Sequence, residues 1–159
     1  MPSTTPRTGS SQRGVVGLES PELLEFIRHE LSRRKHVVMR MSGSSMRPTI
    51  DDGDLLTLAP VSPQSLRPRD VVLFSTESGT ALVHRLVRLS RRDGCAIAIA
   101  RGDNSQSLDP VVPLTRLIAR VIAIQKRGSK RMVPVRRHEH IFQRLAEFFS
   151  SLLHRWTRS

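Results

Sequence analysis

Ser42-Gly43-Ser44-Ser45-Met46-Arg47-Pro48-Thr49-Ile50, followed at once by Asp51-Asp52-Gly53-Asp54, is the stretch on which the reading of this chain turns. Taken bare, a Ser/Gly cluster before a proline is a tight turn, because Gly, Ser and Pro each favour turn geometry. A turn of this kind is also where a nucleophilic serine can be displayed. Such a serine needs exposure, neighbours small enough to admit a peptide backbone, and nearby N–H groups to hold an oxyanion. Gly43 would permit close approach, Pro48 would stiffen the exit, and Met46 can anchor the turn in a core.

Outward from this loop the pattern is mainly β. Upstream lies the short aliphatic run Val37-Val38-Met39. Downstream, Asp54–Leu58, Asp70–Phe74, Ala81–Leu89 and Cys95–Ala100 are β-branched or aliphatic runs bounded by turn residues, and each predicts a strand. Glu77-Ser78-Gly79-Thr80 and Arg91-Arg92-Asp93-Gly94 read as hairpin connections. Residues 115–125 and 131–136 read as two further strands separated by Gly128, although the first also fits a short helix by periodicity. Ser20-Pro21 reads as an N-cap and first helical residue, and Leu23, Leu24, Ile27 and Leu31 recur at helical spacing. That predicts a helix over 21–34, ending in Arg33-Arg34-Lys35 at the negative end of its dipole. Ile141, Leu145, Phe148, Leu152 and Trp156 predict a second, basic amphipathic helix over 137–159. The expected organisation is a tail over 1–19, a domain over 20–136 of one helix and six or seven strands, and the C-terminal helix.

Four blocks carry a family resemblance. The Gly43-to-Thr49 string matches the G-x-S-M-x-P-T motif of type I signal peptidases, and Gly53-Asp54 follows it as in that family. Pro68-Arg69-Asp70-Val71-Val72-Leu73-Phe74 resembles the family's G-D-V-V-x-F strand, with Arg69 where glycine is usual. Val83-His84-Arg85-Leu86-Val87 resembles the V-H-R block of the endoplasmic-reticulum and archaeal branch. Gly102-Asp103-Asn104, with Asp109 after it, resembles that branch's G-D-N block and the acidic residue that follows. The blocks stand in the family's order and span about Val37 to Val121. The resemblance implies a compact signal-peptidase or LexA-like β domain and a serine endopeptidase working through an acyl-enzyme.

On that resemblance Ser45 is the nucleophile, His84 the general base and acid, and Asp109 the third member. Asp103 is the alternative acid, since its Gly-Asp-Asn setting also suits a turn closed by its own side chain. The Ser-Met-x-Pro register favours Ser45 over Ser44. The Ser45 N–H and a neighbour would supply the oxyanion donors, with Gly43, Ser44 and Ser42 as loop support. The common bacterial enzymes and LexA-type repressors place a lysine where this chain has His84. A lysine must be driven to its neutral form by burial, whereas the reference imidazole pKa of about 6.5 leaves histidine a ready base at neutral pH.

Composition narrows the remaining classes. Twenty-six Lys and Arg against 14 Asp and Glu give a formal charge of +12 over 159 residues. That field favours anionic partners without choosing among nucleic acid, anionic lipid and acidic protein. Aromatics at 4% and no tyrosine leave little for base stacking. A single helix before the strands is too little for a helix-turn-helix, so a non-catalytic or self-cleaving LexA-like regulatory module contacting nucleic acid is the alternative, not the first reading. The single Cys95 excludes an intrachain disulfide and reads as a small core residue in the run Cys95–Ile99. His138-Glu139-His140 lacks the His-Glu-x-x-His spacing, so no metal is expected, nor any other cofactor. No window reaches the ~18–20 apolar residues of a membrane span. The expectation is a soluble, cytoplasmic chain acting on a peptide or protein substrate. Its C-terminal helix either docks on the β domain or lies on anionic membrane.

Overall fold

The computed structural model describes residues 21–33 and 36–135. The expected tail, the Ser20 cap, Arg34-Lys35, the His138-Glu139-His140 tract and the C-terminal helix lie outside the described residues. The helix α1, Pro21–Arg33, carries Glu22 in its first turn and Arg33 in its last, both favourable to the helix dipole. Leu24, Ile27 and Leu31 form its buried stripe.

Eight strands follow: β1 Val37–Arg40, β2 Leu55–Pro60, β3 Val71–Ser75, β4 Ala81–Arg92, β5 Cys95–Arg101, β6 Val112–Pro113, β7 Leu117–Gln125 and β8 Met132–Pro134. All pair antiparallel in one sheet of order β1-β2-β7-β3-β4-β5-β6, with β8 added to β7. The fold is mainly β with one helix near its start, as the sequence pattern predicts.

The central strand β3 explains how so thin a sheet has two cores. Val71 and Leu73 point to a cluster that includes α1, Met41, Met46 and Ile50. Val72 and Phe74 point to the other face, against Leu66, Leu86, Ala98, Ala100, Val112 and Leu117. A strand buried on both faces reads as an unbroken apolar run rather than an alternating one. The 76–80 connection of β3 to β4 closes through Thr76 N–H to Thr80 O at 2.8 Å. Between β4 and β5, Asp93 (φ 50°) and Gly94 (φ 78°) both take the left-handed conformation that a two-residue type I′ hairpin turn demands.

Two details depart from the sequence expectation, and one alternative that it left open is decided. Cys95 is exposed, not a core residue. It is the first residue after the hairpin turn and pairs with Arg92, at the ribbon's tip beyond the second cluster. The two-residue β6 was not expected, because Val112-Pro113 is too short for any periodicity. Within 115–125 the strand alternative is the observed one from Leu117 on, after a 3-10 turn at Leu114–Arg116.

Candidate active site

The quoted loop is a pinched-off connection between β1 and β2. Met41 N–H donates to Asp54 O at 2.7 Å and Gly53 N–H to Met41 O at 2.9 Å, closing the neck. Met46 and Ile50 are 0% exposed and fasten the loop to the α1 side of the core. A Cβ on Gly43 would meet nothing within 4 Å, but its φ of 99° is glycine territory. Conformation, not close approach, is therefore what requires glycine there. Gly43 N–H donates to Asp52 Oδ1 at 3.0 Å.

A polar clamp secures the loop's far end. Asp54, 1% exposed, accepts from Arg127 N–H at Oδ1 and from Asp51 N–H at Oδ2, each at 2.9 Å. Lys126 Nζ lies 3.0 Å from Asp54 Oδ2 and 2.8 Å from Asp51 Oδ2, and donates to Thr49 O at 3.0 Å. Burial by itself would raise the Asp54 carboxyl. The two backbone donors and the Lys126 ammonium outweigh it and hold the group below 3.8. Burial likewise opposes the Lys126 charge, and the two carboxylates reverse it, keeping the ammonium above 10.5.

His84 sits on β4 opposite Val72, with its side chain on the face of the second cluster. The Phe74 ring meets it edge-on, centroids 6.2 Å apart. Asp109 Oδ2 is 2.6 Å from His84 Nδ1, and Ser45 Oγ is 3.0 Å from Nε2. A carboxylate only accepts, so the proton belongs on Nδ1, and Nε2 of the neutral ring is left to accept from the serine hydroxyl. Asp109 is set by its own N–H, which donates to Ala100 O at 2.9 Å. The side chains of His84 and Asp109 are 8% and 13% exposed.

The two acidic candidates are separated by this geometry. Asp103 lies on Arg85, not on His84. Arg85 Nε and Nη2 donate to its two oxygens at 2.8 and 2.6 Å, a bidentate pair of side chains only 6% and 11% exposed. Arg85 also donates to Arg69 O at 3.0 Å and reaches Thr49 Oγ1 at 3.5 Å. Consecutive strand residues point to opposite faces, so one dipeptide serves two ends. His84 meets Ser45, while Arg85 binds the segment beside it.

Sequence reasoning quoted Gly102-Asp103-Asn104 but missed what Gly102 and Asn104 do. A Cβ on Gly102 would lie 2.6 Å from Ser45 O and 3.1 Å from His84 Nε2. Only glycine lets this chain pass so near. Asn104 N–H then donates to Ser45 O at 2.8 Å, tying the two segments together. The Lys126 clamp had no sequence signal, since its partners lie 72 to 77 positions away. Ser42 and Ser44 are exposed on the loop. Among the described residues the Ser45 N–H meets no acceptor.

Arg69, which stands where the resembling strand has glycine, has φ 80°. It occupies the third position of a turn with Pro68 second, closed by Asp70 N–H to Arg67 O at 3.2 Å. That is a type II arrangement, and it explains the glycine preference.

A mainly β domain with a serine hydroxyl against a histidine, itself held by a carboxylate, defines a domain of serine-peptidase type with a LexA-like fold. The chain belongs to the Peptidase S24-like family, which it matches over residues 10–122. This places it in the LexA and signal-peptidase superfamily. No curated protein resembles it closely enough to count as a match. No helix among the described residues is long and apolar enough to cross a membrane.

Proposed function

We propose that this protein is a serine endopeptidase in which Ser45 is the nucleophile, His84 the general base and acid, and Asp109 the residue that orients His84. The observation that carries this is the unbroken hydrogen-bonded chain from Ser45 Oγ through the imidazole to Asp109, at 3.0 and 2.6 Å. As Ser45 Oγ bonds to the carbonyl carbon, Nε2 takes the hydroxyl proton. The same proton passes to the leaving nitrogen as the C–N bond breaks. Water, deprotonated by Nε2, then releases the acid and restores the serine. Asp109 stabilises the imidazolium formed in between. The unpaired Ser45 N–H is suited to the developing oxyanion. No cofactor enters these steps.

Histidine rather than lysine as the base supports a site of the endoplasmic-reticulum and archaeal type of signal peptidase. The substrate would be a peptide or protein, such as one dedicated precursor or the chain itself. The enzyme would act in the cytoplasm; the +12 charge supports contact with anionic surfaces, and 137–159 would either dock on the β domain or a second copy or lie on anionic membrane. A non-catalytic module contacting nucleic acid leaves the Ser45–His84–Asp109 chain without a use, whereas a self-cleaving one would use it on the chain itself.

The test is incubation with a complex peptide mixture, reading new termini by mass spectrometry. Wild type should cut at a reproducible set of sites. Ser45→Ala and His84→Ala should lose at least ~10⁴-fold in rate. Equal cutting by wild type and Ser45→Ala would overturn the mechanism.

A further inference from the structure

The position of His84 relates a nearby, mainly apolar recess to one side of the cut bond. A cleft of about 460 Å³ opens beside the site, where Phe74, Leu82, Pro110 and Val111 form its apolar part and Glu77, Asp109 and Arg116 also line it. Phe74 and Leu82 are a cross-strand pair, one step along the ladder from the Val72–His84 pair on the same face. The cleft thus begins about 7 Å from the histidine, two residues along the strand. Val111, its outer wall, is 40% exposed, and the neighbouring Leu108 is 54% exposed. The hydrophobic surface here is therefore open rather than closed over by the described chain.

The imidazole that takes the serine proton must return it to the leaving amine, so that amine has to reach Nε2. The chain on the C-terminal side of the cut consequently departs past the His84 ring, whose far nitrogen is held by Asp109. A peptide in extended form advances about 3.3 Å per residue. Its second or third residue after the cut would come to the cleft.

We propose that this cleft is a specificity pocket for an apolar side chain two or three residues C-terminal to the scissile bond. The inference rests on the endopeptidase reading above. The occupant is the substrate's leaving half, because Asp109 of the site lines the recess and most of its exposed surface is apolar. Burial of one Leu-sized side chain there should favour cleavage by roughly tenfold or more over a polar residue.

The experiment maps cleavage sites in a peptide mixture for wild type and for Val111→Arg, which places a charged side chain across the mouth at an exposed position. A second variant, Val111→Ala, widens the mouth without adding charge and guards against misfolding of the first. Expected is an enrichment of Leu, Ile, Val, Met and Phe at the second or third position after the cut. Val111→Arg should lose that enrichment, so that its ratio of cutting at apolar sites to cutting at Gly or Ser sites falls roughly tenfold. Val111→Ala should keep it. Cutting with no apolar enrichment after the bond, or with enrichment unchanged in Val111→Arg, overturns the pocket and leaves the hydrolase standing. No cutting by wild type overturns both.

Discussion

Along β4, the segment Ala81–Leu86 and the segment Val87–Arg92 share one extended backbone yet live in different surroundings. The first has every position buried or half-buried and carries His84 and Arg85. The second alternates with exposed Arg88 and ends in exposed Arg91 and Arg92. The break between them is the register shift at Leu86/Arg88. Bulges of this kind often stand next to active sites, where they end one pairing frame and re-aim the strand. Before the break each polar side chain is fully committed, His84 to Ser45 and Asp109, Arg85 to Asp103. After it the arginines supply charge and solubility with little held in place. Polar residues in a strand thus mean different things according to whether both faces are covered.

The largest effect on stability should come from Arg85→Ala. Removing the guanidinium leaves Asp103 buried without a partner, a change that costs about 3–5 kcal/mol. Denaturant unfolding measures it. If the loss is under about 1 kcal/mol, the inner half of the strand is no more demanding than the outer half. Gly102→Ala should follow. Its Cβ collides with Ser45 O, and a displacement of the serine by about 1 Å can cost roughly 10²-fold in rate. Turnover at wild-type level in this variant would show that the close approach is not needed.

Asp54→Asn should cost about 1–3 kcal/mol at neutral pH, because a buried carboxylate with three donors becomes an amide. The pH dependence identifies the cause. Asp54 is held below 3.8, so its contribution is complete above that pH and is lost as pH falls past it. Lys126 is held above 10.5, so its contribution is complete below that pH and fades as pH rises beyond it. Lys126 is 42% exposed, which makes the alkaline effect the smaller of the two. The variant should lack the acid limb attributable to Asp54; an unchanged acid limb would refute the clamp. The smallest effect belongs to Arg88→Ala and Arg92→Ala, each within about 0.5 kcal/mol by thermal unfolding and with turnover unaltered.

Much of the arrangement was legible because it is written in local patterns. The Gly-Ser-Ser-Met-Arg-Pro string announces a displayed serine, and Met46 was readable as the anchor that the core confirms at 0% exposure. The Asp-Gly pair at 93–94 sets its hairpin, and the Asp70–Phe74 run announces a strand. What was not legible depends on pairings far apart in the chain. Along the sequence the family resemblance favours Asp109 but leaves Asp103 as the alternative. Their partners are decided by the register of β4 against β5, where Arg85 stands opposite Arg101 and brings Asp103 to the arginine. The Cys95 expectation failed for a related reason. An aliphatic run does not say how far the core extends beneath a long ribbon. Gly102 was visible as a letter, but its purpose is a steric one that appears only when Ser45 O and His84 Nε2 come within reach of it.

The central claim is that His84 and Asp109 make Ser45 a nucleophile. It is tested most directly with a serine-directed fluorophosphonate probe and intact-protein mass spectrometry. The account predicts one added group on wild type, mapped to Ser45, none on Ser45→Ala, and at least a hundredfold slower addition to His84→Ala. Equal addition to wild type and Ser45→Ala, or mapping to Ser44, would contradict it.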